Sequence, residues 1–248
     1  MEGDSLFDIL LALRHSEDSV RLKAIRKLHA HVNSAEGEYL EEPYTRAEEL
    51  QAWTRARVER LQQRPIKEAL LAAIEDTHVN VRFEAAFMLG DMDDADAHGA
   101  LVRHLETDPH DKVRWICTSG LRSGAYLETG QQAVISALKD PSELVVAKVC
   151  SDLAGMGCAD SIEPLRAVLS HISWQVRFNA CKALIKLQAV DNVVVNVLEE
   201  LNLQPQADEH NKMAHDLNER KATSSLLSTT KVKTTQEVLD EARLALQQ

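Results

Sequence analysis

A short pattern recurs at a nearly fixed spacing along these 248 residues: a valine, most often followed by arginine, then apolar residues four and eight positions on. With the valine as anchor, Val81, Val113, Val145 and Val176 lie 32, 32 and 31 residues apart, and Val20 stands 61 residues before Val81. A constant period of about 20–50 residues marks stacked supersecondary units, each burying its apolar face on the next. Four past the anchors stand Ala24, Ala85, Cys117, Val149 and Ala180; eight past them stand Leu28, Leu89, Leu121, Leu153 and Leu184. Offsets of zero, four and eight fall on one stripe of an α-helix.

A second stripe precedes each anchor: Ile9 and Leu13, Leu70 and Ile74, Leu101 and Leu105, Val134 and Leu138, Leu165 and Leu169, then Val197 and Leu201. Each unit therefore reads as two helices, A then B, joined by a turn at Asp76, Asp108-Pro109, Asp140-Pro141 or His171. Proline fits there because its fixed φ suits a turn or the first turn of a helix. One helix pair cannot bury both stripes, but stacked pairs can, so the sequence predicts an all-α chain, an α-solenoid of stacked antiparallel helix pairs.

Residues 81–90 (Val-Arg-Phe-Glu-Ala-Ala-Phe-Met-Leu-Gly) and 176–184 (Val-Arg-Phe-Asn-Ala-Cys-Lys-Ala-Leu) resemble the second helix of the HEAT repeat, in particular the bacterial phycobilisome-lyase HEAT-like variety. The resemblance runs from Ile66 to Leu201 and takes in residues 5–31. It implies a HEAT-like superhelix. It also implies a ladder of hydrogen bonds between consecutive turns, formed by Asp76, Arg82, Asp108, Arg114, Asp140 and Arg177. Val146 and His171 stand where the ladder would have an arginine and an aspartate, and break two rungs. Similar repeats occur in lyases and chaperones that handle bilin chromophores, which gives the alternative function.

The organisation expected is a solenoid over residues 1–203 with an irregular interval at 33–65, an eroded terminal repeat at 204–222, a Ser/Thr-rich linker at 223–235 and a C-terminal amphipathic helix at 236–248. Within the interval, Thr45-Arg46-Ala47-Glu48 has the form of a capping box and opens a polar helix to Gln63, with Leu50, Trp53, Val58 and Leu61 as its apolar residues. Two readings stand for this helix: a degenerate repeat, or an inserted docking arm. Gln204 to Asp208 reads as a loop before a polar helix at 209–221. The last helix carries Val238, Leu239, Ala242 and Leu246 on one side and caps the solenoid or docks elsewhere.

Net charge is -11 and the isoelectric point 5.4, a balance that repels phosphate backbones and disfavours nucleic acid. The N-terminus is acidic where a signal peptide would be basic, and no apolar run is long enough for a membrane span. Cys117, Cys150, Cys158 and Cys181 match neither a zinc nor a disulfide spacing and read as core thiols in a reducing cytoplasm. The ten histidines include no His-Glu dipeptide and no pair four apart, so neither a metal nor another cofactor is expected. No nucleophile motif or phosphate loop stands out, so no catalytic residue is expected.

Function is then expected from a surface. Two past the anchors come Leu22, Phe83, Trp115, Ala147 and Phe178, on the flank of helix B. Aromatics there either fill grooves between repeats or anchor a partner. Candidate partner contacts are Phe83, Trp115, Lys148, Asp152, Phe178, Asn179 and, on the irregular helix, Trp53. Two acidic clusters, Glu36, Glu38, Glu41 and Glu42, and Asp91, Asp93, Asp94 and Asp96, are solvated loops or a negative surface that steers a basic protein. The expectation is a monomeric, non-enzymatic scaffold that grips a protein on a concave B-helix face. A specific variant is an inhibitor or immunity-like protein for a basic target.

Overall fold

The computed structural model describes residues 5–33, 46–122, 124–223 and 232–247, and these form helices and the turns between them. They fall into two compact units, Met1–Ala133 and Val134–Gln248. The acidic residues Glu36, Glu38, Glu41 and Glu42, the Thr45 cap and most of the Ser/Thr run lie outside the described residues.

In the first unit α1 (Leu6–Ala12) and α2 (Asp18–Asn33) make a pair, α3 (Arg46–Leu61) follows, and α4 (Arg64–Ala73) with α5 (Val79–Leu89) and α6 (Ala95–Thr107) with α7 (Asp111–Gly120) make two more. The helix ends are set locally. Ser5 and Asp8 form a capping box on α1, Pro65 sits in the first turn of α4, and Asp94 accepts from two backbone N–H groups at the start of α6. B helices pack on B helices, α2 on α5 and α5 on α7, and A helices on A helices, α1 on α4 and α4 on α6. The predicted stripes fill the core: Leu28, Leu89 and Leu121 are fully buried, with Ala24, Ala85 and Cys117 beside them. Each fully buried leucine contributes about 1.5–3 kcal/mol.

α2 packs directly on α5 across the 61-residue interval. That contact favours an inserted α3 over a degenerate repeat. α3 is held at the ends of its neighbours: Arg60 donates to the carbonyl of Val32 at 2.8 Å, Arg57 bonds Asn33 and Asp91, and Leu61 is fully buried. Further along the stack, Gly90 and Gly120 let the ends of α5 and α7 touch. A Cβ on Gly120 would stand 2.6 Å from the Cα of Gly90 and 2.8 Å from a methyl of Leu101.

α8 (Leu127–Ser136) begins in the first unit and ends in the second. The second unit continues with α9 (Glu143–Met156), the short α10 (Ile162–Ala167) flanked by 3-10 turns, α11 (Trp174–Lys186), α12 (Asn192–Asn202), α13 (Pro205–Thr223) and α14 (Thr235–Leu246). Val145, Val149 and Leu153 of α9 and Val176, Ala180 and Leu184 of α11 are fully buried. α9 ends on Gly157 at φ 65°, the left-handed cap that lets Cys158 N–H reach back to the carbonyl of Leu153. Gln188 holds the corresponding place after α11 at φ 56°, without glycine's freedom.

Two expectations need correction here. The segment 204–208 is helical, since α13 starts at Pro205, whose missing N–H costs nothing in a first turn. The buried stripe of α12 is Val194, Leu198 and Leu201, while Val197 is only half-buried. α14 packs on both α12 and α11, as a B helix does, and Val238, Ala242 and Leu246 repeat the zero, four, eight signature 62 residues after Val176. Val238, Leu239 and Ala242 are buried, and Leu246 is 40% exposed.

Candidate interaction face

The recurring arginines and aspartates hold the turns together. Arg21 gives its Nη1 to the carbonyls of His15 and Ser16, in its own turn, and its Nε and Nη2 to Asp76 in the next one, at 2.6 and 3.0 Å. Arg82 repeats this, bonding the carbonyls of Asp76 and Thr77 and meeting both oxygens of Asp108 at 2.8 and 2.9 Å. Arg114 wraps its own turn through the carbonyl of Asp108 at 2.8 Å, and Asp140 accepts from Ser142 N–H at 2.8 Å. Burial would push Asp108 up, but the hydrogen bonds from Arg82, from the His110 N–H and from His104 outweigh it and hold the carboxyl below its usual range. The same balance, led by burial and reversed by Arg21, lowers Asp76.

The second unit ends the ladder differently. His171 takes over the turn bond of an aspartate, its Nδ1 accepting from Ser173 N–H at 3.0 Å. Arg177 finds Glu200 at 2.8 Å and Gln204 at 3.5 Å, and its Nε has no partner among the described residues, because the next turn offers no aspartate. Histidines at the other turns do similar work: His15, His78 and His110 each accept through Nδ1 from the N–H two residues on. His78 and His110 thereby cap α5 and α7.

The acidic cluster after α5 is also spent within the fold. Asp91 pairs with Arg57 at 2.6 Å, Asp93 accepts from Ala125 N–H at 2.8 Å, and Asp94 and Asp96 share Lys67 at 2.6 and 2.9 Å. Burial acts to raise Asp94, and the Lys67 ammonium and two backbone N–H groups lower it further than that. A cavity of about 220 Å³ opens between α3 and the Gly90–Gly120 contact, lined by Arg57, Asp91, Asp93, His98 and Tyr126. Its polar groups serve one another: His98 bonds Thr129 at 2.9 Å and lies on the Tyr126 ring, 5.2 Å between centroids.

Of the candidate contacts, two are not on the surface. Phe178 is fully buried, stacked on Trp174 at 4.8 Å and met edge-on by His210 of α13 at 4.9 Å, so its flank position is covered by the chain's own C-terminal region. Asp152 is 2% exposed and takes Lys148 on both oxygens at 2.6 Å, a pair within α9. Asn179 is half-buried. Trp53 lies on α3, and its side chain is outside the described residues. Phe83 and Trp115 are half-buried on the adjacent helices α5 and α7.

The outward face of the B helices is not quite where sequence reasoning centred it. Positions one before and six past the anchors are Ser19 and Arg26, Asn80 and Phe87, Lys112 and Ser119, Leu144 and Ser151, Gln175 and Lys182; all are exposed except the half-buried Ser119. Seven residues is close to two helical turns, so each pair lies on one line opposite the buried stripe. Phe87, 39% exposed, is the residue this adds. Its ring meets His29 of α2 at 5.2 Å and carries the Arg57 guanidinium of α3 at 5.9 Å.

All four cysteines are buried and unpaired. Burial pushes the Cys150 and Cys181 thiols up to about 12, so neither is a nucleophile near neutrality. Among the described residues no three histidine, cysteine or carboxylate side chains are grouped to hold a metal ion, and no helix is long and apolar enough to cross a membrane.

Comparison with solved structures places the chain among repeat folds. A designed armadillo repeat protein in complex with the peptide (KR)4 is 17% identical at a TM-score of 0.53, covering 98% of this chain and 99% of that one. The CpcE–CpcF complex of phycocyanin lyase from Nostoc sp. is 18% identical at 0.51, covering 99% and 96%. The S. pombe condensin Cnd3–Cnd2 subcomplex is 20% identical at 0.54, covering 91% of this chain and 28% of that one. These likenesses carry the fold alone. Comparison with curated protein sequences finds no match. The model of HEAT repeats, however, matches residues 4–122 and 132–217, in accord with the paired helices and the arginine–aspartate turns, and the chain belongs to the HEAT repeat family.

Proposed function

We propose that this HEAT-repeat chain is a non-enzymatic interaction module that holds a protein partner on the outward face of its B helices. The observation that carries this is the row of partly exposed aromatics, Phe83, Phe87 and Trp115, on the packed helices α5 and α7. Large rings left half in water on a rigid helix are the usual anchors of an interface, since they give contact area while losing little side-chain freedom. The fold supports the reading, because stacked helix pairs offer long surfaces without an enclosed site. The armadillo neighbour holds a peptide on a related scaffold. A cytoplasmic setting fits four unpaired thiols.

Affinity capture from native cell lysate tests this, comparing the wild type with Phe83→Ala/Phe87→Ala/Trp115→Ala after thermal unfolding shows both folded. A protein retained by the wild type and lost from the variant is the expected outcome. Retention of every captured protein by the variant would remove the B-helix face from the account. Chromophore handling, the reading that the phycocyanin lyase likeness would favour, predicts instead a shift in the absorbance spectrum on mixing with a bilin.

A further inference from the structure

We infer that the B-helix face of the first unit takes an acidic protein segment carrying an apolar side chain. The inference rests on the interaction-module reading above and names the partner's chemistry, which whole-chain charge reads with the opposite sign. The molecule is acidic, but its unspent charge on this face is positive. Lys23 and Arg26 of α2 and Lys112 of α7 are exposed and have no ion pair among the described residues. The acids that share the face are engaged within the fold. Glu84 bonds His29 at 3.0 Å and Asp91 pairs with Arg57 at 2.6 Å. The carboxylates after α5 that were candidates to steer a basic partner are held by Lys67, by Arg57 and by a backbone N–H.

Distance decides which charge a docked segment feels. Screening at physiological salt removes most interaction beyond about 8 Å, so the surplus acids on other surfaces slow encounter more than they weaken contact. Carboxylates laid along α2, α5 and α7 would meet Lys23, Arg26 and Lys112 directly, while an apolar side chain among them reaches Phe87, between the cations of α2 and α7. The helix order α2–α5–α7 puts the ring in the middle. This arrangement offers a basic segment two unpaired cations on α2, while Glu84 and Asp91 are already engaged by His29 and Arg57.

Fluorescence anisotropy with three labelled probes tests the inference on the full chain: a glutamate-rich octapeptide with one central phenylalanine, a lysine–arginine octapeptide, and a single-stranded oligonucleotide of similar length. The glutamate–phenylalanine peptide is expected to bind most tightly. Its affinity should fall at least about tenfold in Lys23→Glu/Arg26→Glu/Lys112→Glu, and also when its phenylalanine is replaced by glutamate. Tighter binding of the basic peptide or the oligonucleotide would overturn the inference, as would unchanged affinity in the charge-reversed variant or no binding of the acidic peptide at all. Lysate capture separates the two levels. A protein lost from the triple-alanine aromatic variant but kept by the charge-reversed one leaves the interaction module standing and removes its acidic partner.

Discussion

Asp108 shows how one residue can serve two repeats. Its side chain is 1% exposed, takes two hydrogen bonds from Arg82 of the preceding B helix, and caps its own turn at His110. Removing one member of a buried pair leaves the other charge unpaired, so Asp108→Ala should cost about 3–5 kcal/mol by urea unfolding at pH 7. Because the folded carboxyl is held below its ordinary value, this stabilisation is present above about pH 4 and is lost as pH falls through the depressed value. The gap between wild type and variant should narrow as pH falls through the depressed value; a gap independent of pH in the acid range would mean the carboxylate's charge is not what matters. The cysteines give a second residue-scale expectation. An aromatic disulfide reagent should label none of the four thiols in the native state and all of them in denaturant. The ladder residues and buried thiols were legible because their spacing repeats. Phe178 was not, since what covers it comes from α13, whose ring partner His210 no periodicity announces.

At the scale of elements, the regular helices are where hydrophobic phase places them, and the exceptions are α3 and α13. α3 and α13 were legible as helices, but their places in the stack were not. An interval of 61 or 62 residues equals two periods whether it holds a missing repeat or one repeat and an excursion. Packing supplies what spacing lacks: α2 meets α5, and α14 meets α11 and α12. If α14 is a true repeat helix, its apolar residues carry weight comparable to those of the central repeats. Leu239→Ala and Leu153→Ala should each destabilise by about 2–5 kcal/mol. A loss below half of the lower figure at Leu239, with the full loss at Leu153, would make α14 a loosely attached tail.

For the molecule as a whole, the net charge of -11 is a poor guide to what its interaction face accepts. Composition sums over all surfaces, while recognition depends on the charges left unpaired on one of them. Lys23, Arg26 and Lys112 were hidden in the sequence because their neighbours Glu84 and Asp91 look equally available until the fold pairs them with His29 and Arg57. The fold was thus legible almost entirely, and the surface only in its aromatics. Side-chain footprinting of the protein with and without a captured partner is the most direct test of the claim that the B helices carry function. Protection is predicted at Lys23, Phe87, Lys112 and Trp115, with Arg103 and Glu106 on the A helix α6 unchanged. Protection confined to α6 and the other A helices would contradict the account.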